Sequence, residues 1–94
     1  NEIYQVCDKL NIDYDKVVEY ATLDERLGYS HWSVPGHDED FGFGGHCLPK
    51  DLEALISLAD HFDLDVDVLR AVRYTNDKVR KDRDWERMKG RAVV

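Results

Sequence analysis

A cysteine stands between a glycine-rich run and the start of an apolar-periodic run. Cys47 follows Gly44 and Gly45 and comes two residues before Pro49. Proline is favoured in the first turn of a helix, because its missing N–H would have no partner there. We therefore expect Cys47 at the helix N-cap or one residue from it, where N–H groups and the helix dipole favour a thiolate. The spacing predicts a nucleophilic thiol, and the alternative is a structural glycine turn beside a buried cysteine.

A carboxylate follows this thiol by one helical turn. Asp51 lies four residues after Cys47 and therefore on the same helix face. It could orient a water molecule or act as a general base, but a nearby negative charge also disfavours a thiolate. The sequence leaves open which of these two effects is larger. The glycines before Cys47 allow a ligand to approach the backbone and can direct N–H groups at an anion.

Four helices are predicted to position this junction. Asp13 is the predicted N-cap of the second helix, and Cys7, on the apolar face of the first, is a predicted small buried hydrophobe. The apolar faces of the first two helices comprise Ile3, Val6, Cys7 and Leu10, and Val17, Val18 and Ala21. Those of the third and fourth comprise Leu52, Leu55, Ile56 and Ala59, and Val68, Leu69, Val72, Asn76 and Val79. The predicted fold class is all-α, with Ala92–Val94 as a possible start of a β-strand.

A long loop joins the second and third predicted helices. Residues 23–47 lack clear periodicity and hold five of the six glycines. Loops longer than about 12–15 residues are usually functional or disordered, and aromatic residues argue against disorder. The aromatic side chains are those of Tyr29, Trp32, Phe41 and Phe43. We expect this loop to pack against something, such as a ligand, and interpret Trp32, Phe41 and Phe43 as loop anchors rather than a base-stacking platform.

Composition limits the function classes. The 94 residues amount to one domain at most, and no window is apolar enough to span a membrane. The net charge of the chain is −7. Residues 77–91 hold seven Lys/Arg and four Asp/Glu and so carry +3, and the remaining residues carry −10. An acidic body argues against nucleic-acid binding, and the basic segment is interpreted as a solvated helix end. Two cysteines without a CxxC pair favour a reduced, cytoplasmic setting.

The stretch GFGGHCLPKD resembles the GFGGxC(F/L)PKD signature of the UDP-glucose/GDP-mannose dehydrogenase family. NEIYQVCDKLNIDYDKV resembles the end of that family's long central helix, DERLG its DxRIG element, and MKGRAVV the first strand of its C-terminal nucleotide-binding domain. The resemblance implies that residues 1–88 form the central helical domain, truncated at its N-terminal side, and that residues 89–94 begin the next domain. It implies oxidation of a nucleotide sugar's C6 alcohol to a carboxylate with two NAD⁺, UDP-glucose being the commonest substrate.

The resemblance also implies roles for particular residues. Cys47 would be the nucleophile that captures the aldehyde as a thiohemiacetal, and Asp51 would activate water or stabilise charge. Arg26 would reach the nucleotide sugar bound in the partner subunit of a homodimer. The sugar pocket would be lined by Phe43, Gly44 and Gly45. NAD would be bound by a domain missing from this chain. The family's catalytic lysine would lie upstream of residue 1, so Lys50 is not given the role of that lysine. The 94 residues alone are therefore expected to be inactive.

Two alternatives to the enzyme interpretation are a metal site and a module without chemistry. A metal cluster could draw on His31, His37, Asp38, Asp40, His46 and Cys47. Their types suit a metal, but their spacing matches no known site, so a polar loop is preferred and no metal is predicted. The chain could also be a helical dimerisation or interaction module without chemistry. The enzyme and module hypotheses differ at Cys47, which only the enzyme requires.

Overall fold

The computed structural model describes residues 1–88 and consists, over that range, of four α-helices and one short 3-10 helix. These are α1 (Glu2–Lys9), α2 (Tyr14–Ala21), α3 (Cys47–His61), α4 (Asp67–Val79) and the 3-10 helix Asp84–Arg87. The predicted all-α class, with a long loop between the second and third helices, is confirmed, and residues 1–88 contain no strand. The predicted domain boundary at residue 89 and the predicted strand start at 92–94 lie outside the described residues.

Helices α1 and α2 form a hairpin around two small buried side chains. Cys7 and Val18 are the buried residues of the two helices. The Asp13 carboxylate accepts a hydrogen bond from the N–H of Asp15 at 2.9 Å, which confirms the predicted N-cap. Cys7 is only 5% exposed, which confirms its predicted role as a small buried hydrophobe.

Helices α3 and α4 pair in the second half of the chain. Ile56 and Ala59 are buried on α3, and Arg73 of α4 pairs with Glu53 of α3 at 3.0 Å. The apolar periodicity predicted both helices correctly but overestimated their burial. Val68, for example, is 77% exposed. The other predicted core residues that are exposed are Ile3, Val6, Leu10, Leu55 and Val72. A chain of this size has too little volume to cover every apolar face with its own residues.

The long loop packs against the first hairpin through aromatic side chains. The Tyr14 hydroxyl donates to the carbonyl oxygen of Trp32 at 2.6 Å, and the Trp32 indole N–H donates to the carbonyl oxygen of Gly28 at 2.6 Å. The ring of Tyr4 lies 5.7 Å from the ring of Phe41, measured between centroids. Trp32 and Phe41 therefore act as loop anchors, as their sequence context predicts.

None of the helices within residues 1–88 is both long enough and apolar enough to cross a bilayer.

Candidate functional site

Cys47 is the first residue of α3, one position after the N-cap residue His46. This confirms the position expected from Pro49, which is the third residue of the helix. The thiol is free and exposed. It is therefore accessible from solvent at a helix N-terminus, the environment in which N–H groups and the helix dipole stabilise an anion.

Two charged residues follow the thiol on the first turns of α3. Asp51 lies one turn after Cys47 and is exposed. The Lys50 ammonium nitrogen lies 3.4 Å from Asp51 Oδ1, and the two side chains are 42% and 68% exposed, respectively. An exposed ion pair of this kind is weak, so the Asp51 carboxylate is accessible to a water molecule or a substrate.

The glycine-rich loop, residues 41–46, is held by polar side chains from the other end of the chain. The Asn76 side chain accepts from the Phe43 N–H at 2.8 Å and donates to the Phe43 carbonyl oxygen at 3.0 Å. The Asp84 carboxylate accepts from the Gly45 N–H at 3.1 and 3.2 Å. These N–H groups bind side chains of this chain, so at Phe43 and Gly45 they do not point to an external anion as the sequence suggested.

A buried arginine joins the glycine-rich loop to the segment after α4. The Arg80 side chain is only 2% exposed. Its guanidinium donates to Asp38 Oδ2 at 2.6 Å, to the Phe41 carbonyl oxygen at 3.3 Å and to the Asp82 carbonyl oxygen at 2.8 Å. The interpretation of residues 77–91 as a solvated helix end is thus wrong for Arg80. Loop carboxylates and carbonyls enclose it and satisfy its N–H groups.

Three carboxylates surround the Arg80 guanidinium. Besides Asp38, Asp40 and Asp84 each place an oxygen 3.6 Å from one of its nitrogens. The hydrogen bond from Arg80 is the main cause that lowers the pKa of Asp38 below its usual value. Because the charges compensate one another, a buried cation is tolerated here.

Asp40 fastens the start of the loop to the backbone after α4. Its buried carboxylate accepts from the N–H groups of Asp82 at 2.9 Å, Lys81 at 3.2 Å and Phe41 at 2.7 Å. The hydrogen bond from the Asp82 N–H is the largest cause that lowers the pKa of Asp40. Asp38 and Asp40 were weighed as metal ligands, but they bind Arg80 and backbone instead. Within residues 1–88, no group of three His, Cys, Asp or Glu is arranged to hold a metal ion.

The lowered pKa of Asp40 predicts acid sensitivity of the fold. A carboxyl group whose folded pKa is depressed stabilises the fold above its unfolded pKa of about 3.9, and that contribution is lost as the pH falls through the folded value. We expect Asp40→Asn to be less stable than the parent chain at pH 7 and to lose less stability between pH 5 and pH 3. Thermal denaturation followed by circular dichroism measures this. Asp65→Asn, at an exposed position between α3 and α4, is the control, and parallel pH curves for Asp40→Asn and the parent chain would contradict the prediction.

Two glycines of the loop are required by side chains that lie against the backbone. A Cβ at Gly44 would overlap the Arg80 guanidinium and lie 2.5 Å from Asp84 Oδ1. A Cβ at Gly42, whose φ is +66°, would overlap the Asn76 side-chain oxygen. A larger residue at either position would displace the side chains that hold the loop.

The predicted site residues fall into two groups. Phe43, Gly44 and Gly45 lie together immediately before α3 and the thiol. Arg26 lies on the exposed turn after α2, its side chain 88% exposed and paired with Asp24 at 2.6 Å. No hydrogen bond within residues 1–88 joins Arg26 to the glycine-rich loop. Its guanidinium projects into solvent, where it is available to another molecule.

Sequence reasoning missed the side chains that hold the loop. Asp84 and Arg80 received no role, and Asn76 was counted as part of an apolar face. A pattern in the sequence could have revealed these three side chains. These three polar residues are spaced by four, and Asn76 interrupts the apolar stripe of α4 at a buried position. A buried amide requires hydrogen-bond partners, and a loop with many unpaired backbone groups can supply them.

The fold and the site define a helical domain that presents an exposed thiol at a helix N-terminus behind a tethered glycine-rich loop. Residues 1–78 match the model of the UDP-glucose/GDP-mannose dehydrogenase family, central domain. The chain belongs to this family, as the motif resemblance indicated.

Several curated relatives align with most of the chain. UDP-glucose 6-dehydrogenase TuaD of Bacillus subtilis (strain 168) is 34% identical over 80 residues, which cover 85% of this chain and 16% of the relative. UDP-glucose 6-dehydrogenase of Rickettsia typhi is 30% identical over 76 residues, which cover 81% of this chain and 16% of that relative. GDP-mannose 6-dehydrogenase of Pseudomonas syringae pv. tomato is 34% identical over 77 residues, which cover 81% of this chain and 17% of that relative. The chain thus spans about a sixth of the length of these relatives, and no solved structure matches it significantly.

Proposed function

We propose that residues 1–88 form the central domain of an NAD-dependent nucleotide-sugar 6-dehydrogenase and supply its nucleophile, Cys47. The observation that carries the proposal is the exposed thiol on the first residue of α3, in a chain whose relatives are named as 6-dehydrogenases of UDP-glucose and GDP-mannose. Residues 89–94 begin the following nucleotide-binding domain in this proposal. UDP-glucose is the proposed sugar, because the Bacillus subtilis and Rickettsia typhi relatives are named for it.

The proposed reaction requires a thiol that can form and release a carbon–sulfur bond. The C6 alcohol first loses a hydride and a proton to become an aldehyde. The Cys47 thiolate then attacks the aldehyde carbon and forms a thiohemiacetal. Loss of a second hydride from carbon and of the hydroxyl proton converts the thiohemiacetal to a thioester. Water attacks the thioester carbonyl, the carbon–sulfur bond breaks, and the carboxylate and the free thiol are released.

Asp51 is proposed to assist the hydrolytic step. Its exposed carboxylate lies one helical turn after Cys47, beside the Lys50 ammonium group. In that position it can accept a proton from the attacking water.

NAD belongs to a different part of the whole protein in this proposal. Residues 1–88 contain no strand, so they lack the βαβ unit with which Rossmann folds bind dinucleotides. When bound, NAD⁺ supplies the acceptor for the two hydrides. The 94 residues alone are accordingly expected to produce no NADH with any nucleotide sugar.

The substrate contacts are proposed to come from two copies of the chain. Gly45 is the glycine before the thiol whose Cα faces open space, since a Cβ there would meet no atom within 4 Å. A sugar can approach the backbone at this point. Phe43 and Gly44 border the same loop, and the solvent-exposed Arg26 of a partner copy would bind the nucleotide part in the intact homodimer.

The proposal is tested by trapping the thioester on the full-length protein. Asp51→Asn should slow hydrolysis, so that the acyl-enzyme accumulates after addition of UDP-glucose and NAD⁺. Acid quenching, proteolysis and mass spectrometry should then find the uronyl group on the peptide that contains Cys47. The 94-residue chain under the same conditions is the control and should carry no adduct. An active enzyme without an acylated Cys47 would refute the proposed role of this residue.

The second candidate is a helical interaction module without chemistry. Exposed apolar side chains, such as those of Leu55 on α3 and Val68 on α4, favour it. The two functions are compatible in one domain, because the site and these apolar faces use different residues. Only the enzyme proposal requires a covalent adduct on Cys47.

A further inference from the structure

Three polar side chains spaced by four residues hold the glycine-rich loop from one side. This loop clamp, as we name it, consists of Asn76, Arg80 and Asp84. Its members lie at the end of α4, just after it, and at the start of the 3-10 helix. No residue of the clamp belongs to the motif around Cys47, and the residues joined by the clamp's hydrogen bonds lie 33 to 39 positions apart in the chain.

The clamp contacts the loop in a regular alternating pattern. The backbones of Phe41, Phe43 and Gly45 each form a hydrogen bond with one clamp residue, at 3.3, 2.8 and 3.1 Å respectively. Gly42 and Gly44, between them, are the positions where a side chain would collide with the clamp. The glycines are therefore explained by the side chains behind the loop, in addition to any ligand in front of it.

The clamp is buried and electrostatically compensated. Arg80 is nearly inaccessible, Asn76 is buried, and Asp84 is partly covered. The carboxylates of Asp38 and Asp40 face Arg80 from the loop side. Breaking one of these buried hydrogen bonds or ion pairs is costly in free energy, because it leaves a buried polar group without a partner. They hold the loop in one conformation more firmly than exposed hydrogen bonds would.

The last bond of the clamp lies next to the thiol. Asp84 binds the N–H of Gly45, two residues before Cys47. We infer that Arg80, through Asp84 and the glycine-rich loop, is a positioning residue that sets the location of the Cys47 thiol for attack on the aldehyde. The inference rests on the proposed function. Since a displacement of about 1 Å in a reacting group can cost on the order of 10²-fold in rate, loosening the clamp should impair turnover without touching the substrate.

Arg80→Lys in the full-length protein is the first test. Lysine retains the charge but cannot form the forked hydrogen bonds of a guanidinium. We expect kcat for uronate formation to fall about 10–100-fold while KM for UDP-glucose changes less than about threefold. Hydrogen–deuterium exchange of the peptide containing residues 41–47 should become faster. Arg83→Lys is the matched control, because Arg83 is an exposed neighbour paired with Glu86, and it should leave all three quantities unchanged.

A pair of substitutions at Asp84 provides a second test that does not depend on the folding of the arginine variant. Asp84→Asn retains an oxygen that can accept from the Gly45 N–H, whereas Asp84→Ala removes it. We expect the alanine variant to lose kcat as Arg80→Lys does and the asparagine variant to retain most of it. Equal kcat for the two variants, or an unchanged kcat in folded Arg80→Lys, would overturn the inference.

Thiol alkylation separates this inference from the proposed reaction. Reaction of Cys47 with iodoacetamide needs no substrate and no cofactor. We expect Arg80→Lys to change its rate at least threefold at neutral pH, because the loosened loop no longer holds the thiol in one position at the start of α3. The buried Cys7 should stay protected, which excludes general unfolding. If the parent enzyme oxidises no nucleotide sugar, the proposed function fails, but a changed alkylation rate of Cys47 in the variant still supports its positioning by the clamp. An unchanged alkylation rate in the variant overturns the inference.

Discussion

Replacing Cys47 with serine in the full-length protein is expected to lower the rate of uronate formation roughly 10³-fold or more. A serine hydroxyl stays protonated at neutral pH and is a far weaker nucleophile than a thiolate. The substitution keeps the size of the side chain nearly constant. The fold and any dimer contacts should therefore survive, and the loss should be confined to the covalent steps.

The measurement is the amount of uronate and aldehyde formed over time, separated by chromatography, with NADH followed in parallel. Cys7→Ser is the matched control. Cys7 is the buried cysteine of α1, and a hydroxyl there should cost about 1–3 kcal/mol of stability with little effect on turnover per folded molecule. Near-normal uronate formation by Cys47→Ser would reject the enzyme proposal for this residue and favour the interaction module.

Replacing Gly44 with alanine is expected to destabilise the chain by about 2–3 kcal/mol. The added Cβ would overlap the guanidinium of Arg80 and lie 2.5 Å from an oxygen of Asp84. Both side chains are fixed by other hydrogen bonds, so neither can move without leaving buried groups unpaired. For a domain whose total stability is about 5–15 kcal/mol, this is a large fraction.

Urea denaturation of the 94-residue chain measures the change, and two other glycines provide graded controls. A Cβ at Gly28 or Gly45 would meet no atom within 4 Å, but Gly45 has a φ of +79°. Gly28→Ala should therefore be nearly neutral, and Gly45→Ala should cost about 1–2 kcal/mol from backbone strain alone. If Gly44→Ala is as stable as Gly28→Ala, the glycine is not required by the side chains behind it.

Features that depend on near neighbours along the chain could be predicted from the sequence. Apolar spacing predicted four helices, and Asp13 was identified as an N-cap. Pro49 placed Cys47 within one residue of the start of α3, and the motif around it indicated the family. Each of these predictions rests on hydrogen bonds or steric limits within a few residues, which local sequence specifies directly.

The covering of the apolar faces and the contacts that hold the glycine-rich loop depend on how distant segments fold together. Val68 follows a correct helical pattern but is exposed, because no other element of residues 1–88 covers it. Arg80 belongs to a charged segment but is buried. The bond between Gly45 and Asp84 joins residues 39 positions apart. The partner of a buried polar group is chosen by which segments the fold brings together, and a periodic pattern within one helix contains no information about that choice.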